Sequence, residues 1–145
     1  MKALLQRVTE ARVDVAGDCV GQIGPGLLVF LGLERCDDET AADRMVKKLL
    51  AYRVFSDASG KMNLSVVDTT GSVLLISQFT LAADTSSGLR PGFSTALAPE
   101  EAKKLYGYTL EQLQKSHGPV EAGEFGADMQ VSLTNDGPVT FLLEI

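Results

Sequence analysis

The feature that most constrains the fold is the apolar run Gly26–Leu33, in which every side chain is hydrophobic. A strand that is apolar on both alternating faces has to be covered on both sides, so this run predicts a strand at the centre of a sheet. The run is much shorter than the roughly 20 residues that a membrane span requires. We therefore expect it to anchor a protein core and not to cross a bilayer.

Other β-prone segments lie on either side of this strand. Apolar residues recur between Leu4 and Val15, and Ala16–Asp18 supplies a hairpin-turn signal. The chain is therefore expected to open with antiparallel strands. Further strands are predicted at Arg53–Phe55 and Ser72–Ser77.

Two segments show the helical spacing of apolar residues. The first, Thr40–Tyr52, follows the acidic residues 37–39, which favour a helix N-terminus. The second begins at Pro99, a residue suited to the first turn of a helix, and ends before Gly118–Pro119.

The C-terminal part predicts two strands joined by a turn. Apolar and polar residues alternate from Met129 to Leu133, a turn is predicted at Asn135–Pro138, and Val139–Ile145 is predicted as the last strand. Between the helices, the polar loop Ala83–Phe93 is long enough to indicate a functional role.

These elements predict one domain, residues 1–145, of the α/β (α+β) class. With 145 residues, of which 45% are hydrophobic, the chain can bury one sizeable core but does not divide comfortably into two. We expect a curved, mostly antiparallel, barrel-like sheet covered by two helices.

Composition argues against several functional classes. The two cysteines, Cys19 and Cys36, and the single histidine, His117, form no metal-binding motif or disulfide framework, so we expect no metal and no cofactor. A net charge of −6 disfavours binding to long stretches of nucleic-acid phosphate backbone, and binding to DNA is not expected. No signal-peptide pattern follows Met1, which predicts a cytoplasmic protein.

Two polar segments are candidates for chemistry. Ser77–Leu81 follows an apolar strand and places polar groups at its end, and Asn135–Thr140 contains the predicted turn. Both also have structural interpretations, because Ser77 and Thr80 can bond to local backbone while Phe79 fills the core. Asx and Gly residues are likewise routine in hairpin turns.

A side-chain catalytic triad is not evident. His117 is predicted in the last turn of the second helix, where it would meet the helix dipole and solvent. A Ser/His/Asp or Cys/His mechanism is therefore not favoured, and the hydroxyl of Thr80 lacks an identifiable base.

Taken together, Ser77–Leu81 and Asn135–Thr140 resemble the corresponding segments of the bacterial-type D-aminoacyl-tRNA deacylases, the D-tyrosyl-tRNA deacylase family. The resemblance runs essentially end to end. Four further segments fit the family in order and spacing: Leu5–Val8, Gly60–Leu64, Leu81–Asp84 and Ala127–Val131.

The resemblance implies an enzyme that hydrolyses the ester of D-aminoacyl-tRNA to tRNA and the free D-amino acid, as a proofreading step in translation. It implies a homodimer in which a cis Gly137–Pro138 segment of one subunit enters the pocket of the other, beside Ser77–Thr80. The carbonyls of that segment then exclude an L side chain. Glycine has no side chain, so glycine mischarged on tRNA(Ala) is expected to be removed as well.

The chemistry implied by the resemblance uses the segment Ser77, Gln78, Phe79 and Thr80. The N–H groups of Phe79 and Thr80 would stabilise the oxyanion, the ribose 2′-OH of the tRNA would assist, and Gln78 would orient the substrate. An alternative is that Thr80 is a covalent nucleophile.

Other residues receive supporting roles from the same resemblance. Arg7 is expected to brace the Gly-Pro segment, and Asn135 and Met129 are expected to contribute to the substrate pocket. Separately from the resemblance, the residue types of the polar loop make Arg90 and Phe93 candidates for contact with the acceptor end of the tRNA, where Arg pairs with phosphate and an aromatic ring stacks on a base. The alternative is that the loop is only solvated. No contact with a membrane is expected.

Two other hypotheses stay open at this point. One is a catalytically silent module that binds an RNA end or a small ligand on the same fold. The other is a related deacylase in which the Gly137–Pro138 bond is trans and a small L-amino acid is edited. Turnover with excess substrate separates the first from an enzyme, and the geometry of that bond separates the second.

Overall fold

The computed structural model describes residues 1–145 and is organised around one long strand, β1. The strands are β1 (Lys2–Val15), β2 (Asp18–Ile23), β3 (Gly26–Gly32), β4 (Phe55–Ser56), β5 (Met62–Leu64), β6 (Ser72–Ser77), β7 (Val120–Ala122) and β8 (Met129–Glu144). The helices are α1 (Glu39–Ala51) and α2 (Pro99–Ser116), and a short 3₁₀ turn lies at Phe79–Ala82.

Strand β1 is central because it pairs along both of its edges. One edge pairs antiparallel with β3 and then with β2, and the other edge pairs antiparallel with β8. Strand β6 is parallel to β3, and β7 is parallel to β6. Because β2 also lies against β6 and β7, the sheet is nearly closed into a barrel. The predicted barrel-like, mostly antiparallel sheet is confirmed, with two parallel pairs that make it mixed.

The two faces of β3 lie in two different cores, which explains its continuous apolar run. Leu27, Val29 and Leu31 belong to the larger core, which includes the apolar faces of both helices. Leu28 lies in a smaller core, and Phe30 packs against that core. The strand is therefore covered on both sides, as its sequence predicted.

Both predicted helices are present and cover the larger core. The Asp38 carboxylate caps α1 by accepting a hydrogen bond from the N–H of Ala41 at 2.8 Å. Helix α2 begins at Pro99 as predicted, and the hydroxyl of Tyr106 donates to the carbonyl of Leu75 at 2.9 Å. Burial raises the pKa of Tyr106. Neither helix combines the length and the apolar character that crossing a membrane requires.

The predicted hairpin turn at Asn135–Pro138 is wrong, because β8 does not reverse its direction there. Both halves of β8 pair with β1, and the register places Gln6 opposite Thr140 but Val8 opposite Asn135. Residues 136–139 therefore face Arg7 alone and form a bulge in the strand. A bulge uses the same Asx and Gly residues as a turn, so local sequence does not distinguish the two.

A smaller correction concerns the segment after α1. The strand predicted at Arg53–Phe55 is a two-residue strand, Phe55–Ser56, paired antiparallel with β5 outside the main sheet. The Ser72–Ser77 strand has the predicted bounds and lies between β3 and β7.

Candidate active site

A cavity of about 720 Å³ opens where β6 ends, between the 3₁₀ turn and the start of α2. Of its 16 lining residues, 12 are hydrophobic, and Ser77 and Gln78 supply its side-chain oxygen and nitrogen atoms. Met129 of β8 lies in the wall. No titratable side chain lines the cavity, so an occupant meets apolar surface, main-chain polar groups and the uncharged polar side chains of Ser77 and Gln78.

The 3₁₀ turn carries main-chain donors to the edge of this cavity. The N–H of Gln78 donates to the carbonyl of Leu31 at 2.8 Å, which fixes the turn to the end of β3. The first hydrogen bond of the turn joins the N–H of Leu81 to the carbonyl of Gln78 at 3.2 Å. The N–H groups of Phe79 and Thr80 come before that bond, where a short helix leaves donors without acceptors of its own.

The polar side chains of this segment bond to each other. The side-chain amide of Gln78 donates to the hydroxyl of Thr80. Thr80 is exposed and does not line the cavity, and no titratable side chain hydrogen-bonds to its hydroxyl. The arrangement offers no base for a threonine nucleophile.

Gly32 allows the 3₁₀ turn to lie directly on the end of β3. A Cβ atom at Gly32 would lie 2.7 Å from the Cβ of Leu81 and 3.1 Å from the carbonyl oxygen of Gln78. Such contacts would force the turn to move. Sequence reasoning missed this residue, although a glycine in an apolar strand is a signal for a close backbone approach.

On the expectation that the N–H groups of this turn stabilise an oxyanion, replacing Gly32 with alanine should lower kcat by about 10- to 100-fold with little change in KM, since a small displacement of aligned donors is costly in the transition state. The added substitution Leu81→Gly removes the opposing Cβ and should restore part of the loss. Gly24→Ala is the matched control, because nothing lies within 4 Å of a Cβ there. An unchanged kcat in Gly32→Ala would show that the position of the turn is not critical.

The segment that follows the long loop forms the opposite wall of the cavity. The hydroxyl of Thr95 donates to the carbonyl of Ala82, and the N–H of Leu97 donates to the carbonyl of Leu33 at 3.0 Å. These bonds hold Phe93 beside Phe79, with ring centroids 5.0 Å apart and planes inclined by 49°. Both rings line the cavity and are also exposed to solvent, which places them where the cavity opens.

The loop between these walls is closed at its base. Asp84 and Gly92 exchange two backbone hydrogen bonds of 2.8 and 2.9 Å. Hydrogen bonds from Ser86 hold the pKa of the Asp84 carboxyl below its usual range. Arg90 is exposed on this loop and does not line the cavity.

The Gly137–Pro138 bulge is held firmly but lies outside the cavity wall. The Gly137–Pro138 peptide bond is cis, and Gly137 has a φ of +127°. The Arg7 guanidinium donates to the carbonyl of Asp136 at 3.2 Å and to that of Val54 at 2.6 Å. It also contacts the Asp136 carboxylate at 3.0 Å. Arg7 therefore joins the bulge to the segment that follows α1.

Asn135 supports the bulge from within the strand. Its side-chain oxygen accepts from the N–H of Val139 at 2.9 Å, and its amide donates to the hydroxyl of Thr140 at 3.2 Å. Neither Asn135 nor Gly137–Pro138 lines the cavity of the same chain. One subunit therefore does not bring the two sequence-predicted segments together.

The expectation that His117 meets solvent at the end of α2 is wrong. Its side chain is buried, with 9% of the residue exposed, and Nε2 lies 2.7 Å from the carbonyl oxygen of Gly71. The loop before β6 comes to this helix end through tertiary packing, which the local sequence does not reveal. His117 lies outside the cavity wall. No group of three or more His, Cys, Asp or Glu side chains is arranged to hold a metal ion.

Comparison with known proteins relates this chain to one class of hydrolase. The family model described as D-Tyr-tRNA(Tyr) deacylase matches residues 4–144. A D-aminoacyl-tRNA deacylase of Pseudomonas fluorescens (strain Pf0-1) is 60% identical over 144 residues, covering 99% of each chain. One from Janthinobacterium sp. (strain Marseille) is 61% identical over 145 residues, covering all of this chain and 97% of the relative.

Two solved structures have the same fold as this chain. A structure named c-Myc DNA Unwinding Element Binding Protein has a TM-score of 0.96 at 44% identity, covering 100% of this chain and 99% of that chain. A structure described as a probable eukaryotic D-amino acid tRNA deacylase has a TM-score of 0.87 at 16% identity, covering 99% and 98%. The second likeness concerns the fold alone.

The class defined by these findings is a hydrolase that acts on the ester bond of aminoacyl-tRNA. The chain belongs to the D-Tyr-tRNA(Tyr) deacylase family. It is an enzyme, and its substrate class, D-aminoacyl-tRNA, includes tRNA as the carrier of the cleaved ester.

Proposed function

We propose that the cavity receives the aminoacylated 3′ end of the tRNA and that the Gly137–Pro138 bulge of a second subunit completes the site. The observation that carries this proposal is the position of the bulge. It is exposed, braced by Arg7 and outside the cavity of its own chain. A rigid exposed segment of this kind is suited to enter the site of a neighbouring copy.

The outer edge of β8 supports a homodimer. Strand β8 pairs with β1 alone, so the other edge of this 16-residue strand has unpaired main-chain groups. Leu133 and Leu142 of the same strand are exposed apolar residues. Natural proteins usually cover a long unpaired edge, and a second copy of the chain related by a two-fold axis covers it reciprocally.

Chirality would then be enforced by exclusion. The carbonyl oxygens of the partner's bulge occupy the space that an L side chain would need, whereas a D side chain points away from them. Rejection of an L-aminoacyl group by a steric and polar obstacle does not require any contact with the D side chain. This fits an enzyme that serves many different D-amino acids.

The chemical step relies on main-chain donors and on the substrate itself. The N–H groups of Phe79 and Thr80 donate to the carbonyl oxygen of the ester as it gains negative charge, and one such donor is worth roughly 3–4 kcal/mol. Water attacks the carbonyl carbon with help from the ribose 2′-OH beside the ester, the bond from that carbon to the ribose oxygen breaks, and the free D-amino acid and the tRNA hydroxyl are released. The lack of titratable side chains in the cavity wall supports this route. It also argues against the nucleophilic role considered for Thr80.

Exclusion of L side chains does not reject a glycyl group. Glycine has no side chain for the carbonyls to reject, so glycyl-tRNA(Ala) is a second substrate. Removing both D-residues and mischarged glycine is a proofreading function that precedes peptide-bond formation.

Contact with the RNA is confined to its acceptor end. A net charge of −6 opposes a broad phosphate-binding surface, because neutralising phosphates requires clustered Lys and Arg. Recognition then depends on the last nucleotides, with Arg90 as a candidate phosphate partner on the loop beside the cavity.

The test is to compare D-tyrosyl-tRNA, L-tyrosyl-tRNA and glycyl-tRNA(Ala) with enzyme at substoichiometric concentration. We expect multiple turnovers with the D-tyrosyl and glycyl esters and, for the L-ester, loss at the rate in buffer. Fast cleavage of an L-ester would instead favour a deacylase that edits L-residues. Binding without turnover of any ester would indicate the silent RNA-end module.

A further inference from the structure

We infer that the rings of Phe79 and Phe93 form a stacking platform for the base of the nucleotide that precedes the aminoacylated one. This inference rests on the proposed function, because it assumes that the terminal nucleotide occupies the cavity. The ligand is a nucleobase at the 3′ end of an RNA strand.

The exposure of the two rings is the first observation. Phe79 is 62% exposed and Phe93 is 41% exposed, although both line the mouth of an apolar cavity. Exposed aromatic rings lose the stabilisation that burial would give them. Their centroid distance of 5.0 Å indicates that the rings already contact each other and present a joint apolar surface.

The second observation is that the platform is held in place. Phe79 lies in the 3₁₀ turn fixed to β3, and Phe93 directly follows the Asp84–Gly92 bonds that close the loop. The N–H of Ala96 also donates to the carbonyl of Phe93 at 3.1 Å. Rigid aromatic rings lose little conformational freedom when a ligand stacks on them.

The third observation is the charge of the protein. At −6 the chain gains little from phosphate contacts, whereas stacking on a ring is uncharged and accepts any base. An RNA strand whose last nucleotide lies in the cavity has to leave through the mouth. Phe79 and Phe93 line the cavity and are also largely exposed, so they are aromatic surfaces available to the preceding base where the strand emerges.

The experiment compares two D-tyrosyl esters, one on intact tRNA and one on adenosine alone, which lacks the preceding nucleotide. For Phe93→Ala, we expect the ratio of kcat/KM for the tRNA ester to kcat/KM for the adenosine ester to fall about tenfold, the usual scale of one base-stacking contact. Phe93→Trp should keep the ratio. Leu89→Ala is the matched control, since Leu89 is a fully exposed apolar residue of the same loop, and it should leave the ratio unchanged.

A substrate with an abasic nucleotide before the terminal one sharpens the test. For the wild-type enzyme, kcat/KM should be about tenfold lower with the abasic substrate than with the normal tRNA ester. For Phe93→Ala, kcat/KM should be the same with the two substrates. An unchanged ratio in Phe93→Ala would overturn the inference, whether both esters are cleaved normally or both more slowly. A wild-type enzyme that cleaves L-esters would overturn the exclusion mechanism without altering this ratio, so the two failures are distinguishable.

Discussion

Replacing Gly137 with alanine is expected to reduce kcat/KM for D-tyrosyl-tRNA by about 100-fold or more, since misplacing a positioning group by ~1 Å has an effect of that size. A Cβ atom at this position would lie 2.8 Å from Cγ2 of Val139 and 3.1 Å from Nη2 of Arg7. The φ of +127° is also one that side chains rarely adopt. The bulge therefore has to shift, and in the proposed shared site the segment that completes the partner's cavity around the D-aminoacyl ester shifts with it.

A matched control separates this effect from general destabilisation. Gly17 also has a positive φ, +91°, but nothing lies within 4 Å of a Cβ there. We expect Gly17→Ala to lose about 1–3 kcal/mol of unfolding free energy in urea, as strained backbone does, while keeping wild-type kcat/KM. Full activity in Gly137→Ala at comparable stability would contradict a role of the bulge in the site.

The central strand and the helices were predictable because their signals are local. An unbroken apolar run such as Leu27–Leu31 has few stable environments other than a strand covered on both faces. Pro99 at one helix start and the acidic residues 37–39 before the other are also read from a few neighbouring residues. Such features do not depend on distant parts of the chain.

The errors arose where the outcome depends on partners that are distant in sequence. Whether Asn135–Pro138 forms a turn or a bulge depends on how β8 pairs with β1, more than 120 residues away for Gln6 and Thr140. The environment of His117 likewise depends on the carbonyl of Gly71, 46 residues earlier. Neither relation is present in a local pattern.

The candidate site was predicted from resemblance and not from physical pattern. The strings around Phe79 and Gly137 named two candidate segments, but they gave no cavity and no distance between them. The support of the turn by Gly32 and the pairing of Phe79 with Phe93 became visible only in the fold.

A shared site predicts that two inactive variants restore each other in a mixed dimer. Gly137→Ala leaves the cavity of its own subunit intact, whereas Ala98→Trp places a large ring at the cavity wall and leaves its own bulge intact. Each variant alone should be nearly inactive. A mixed dimer has one site built from two unmodified parts and one site that carries both changes, so it should reach about half of the wild-type rate.

The measurement is the rate of D-tyrosyl-tRNA cleavage by mixed dimers, isolated by a different affinity tag on each subunit after co-expression. About half of the wild-type rate per dimer, with L-tyrosyl-tRNA still uncleaved, is the predicted result. If the mixed dimers form but stay as inactive as the two parent variants, each site lies within one subunit, and exclusion by the partner's Gly137–Pro138 bulge is contradicted.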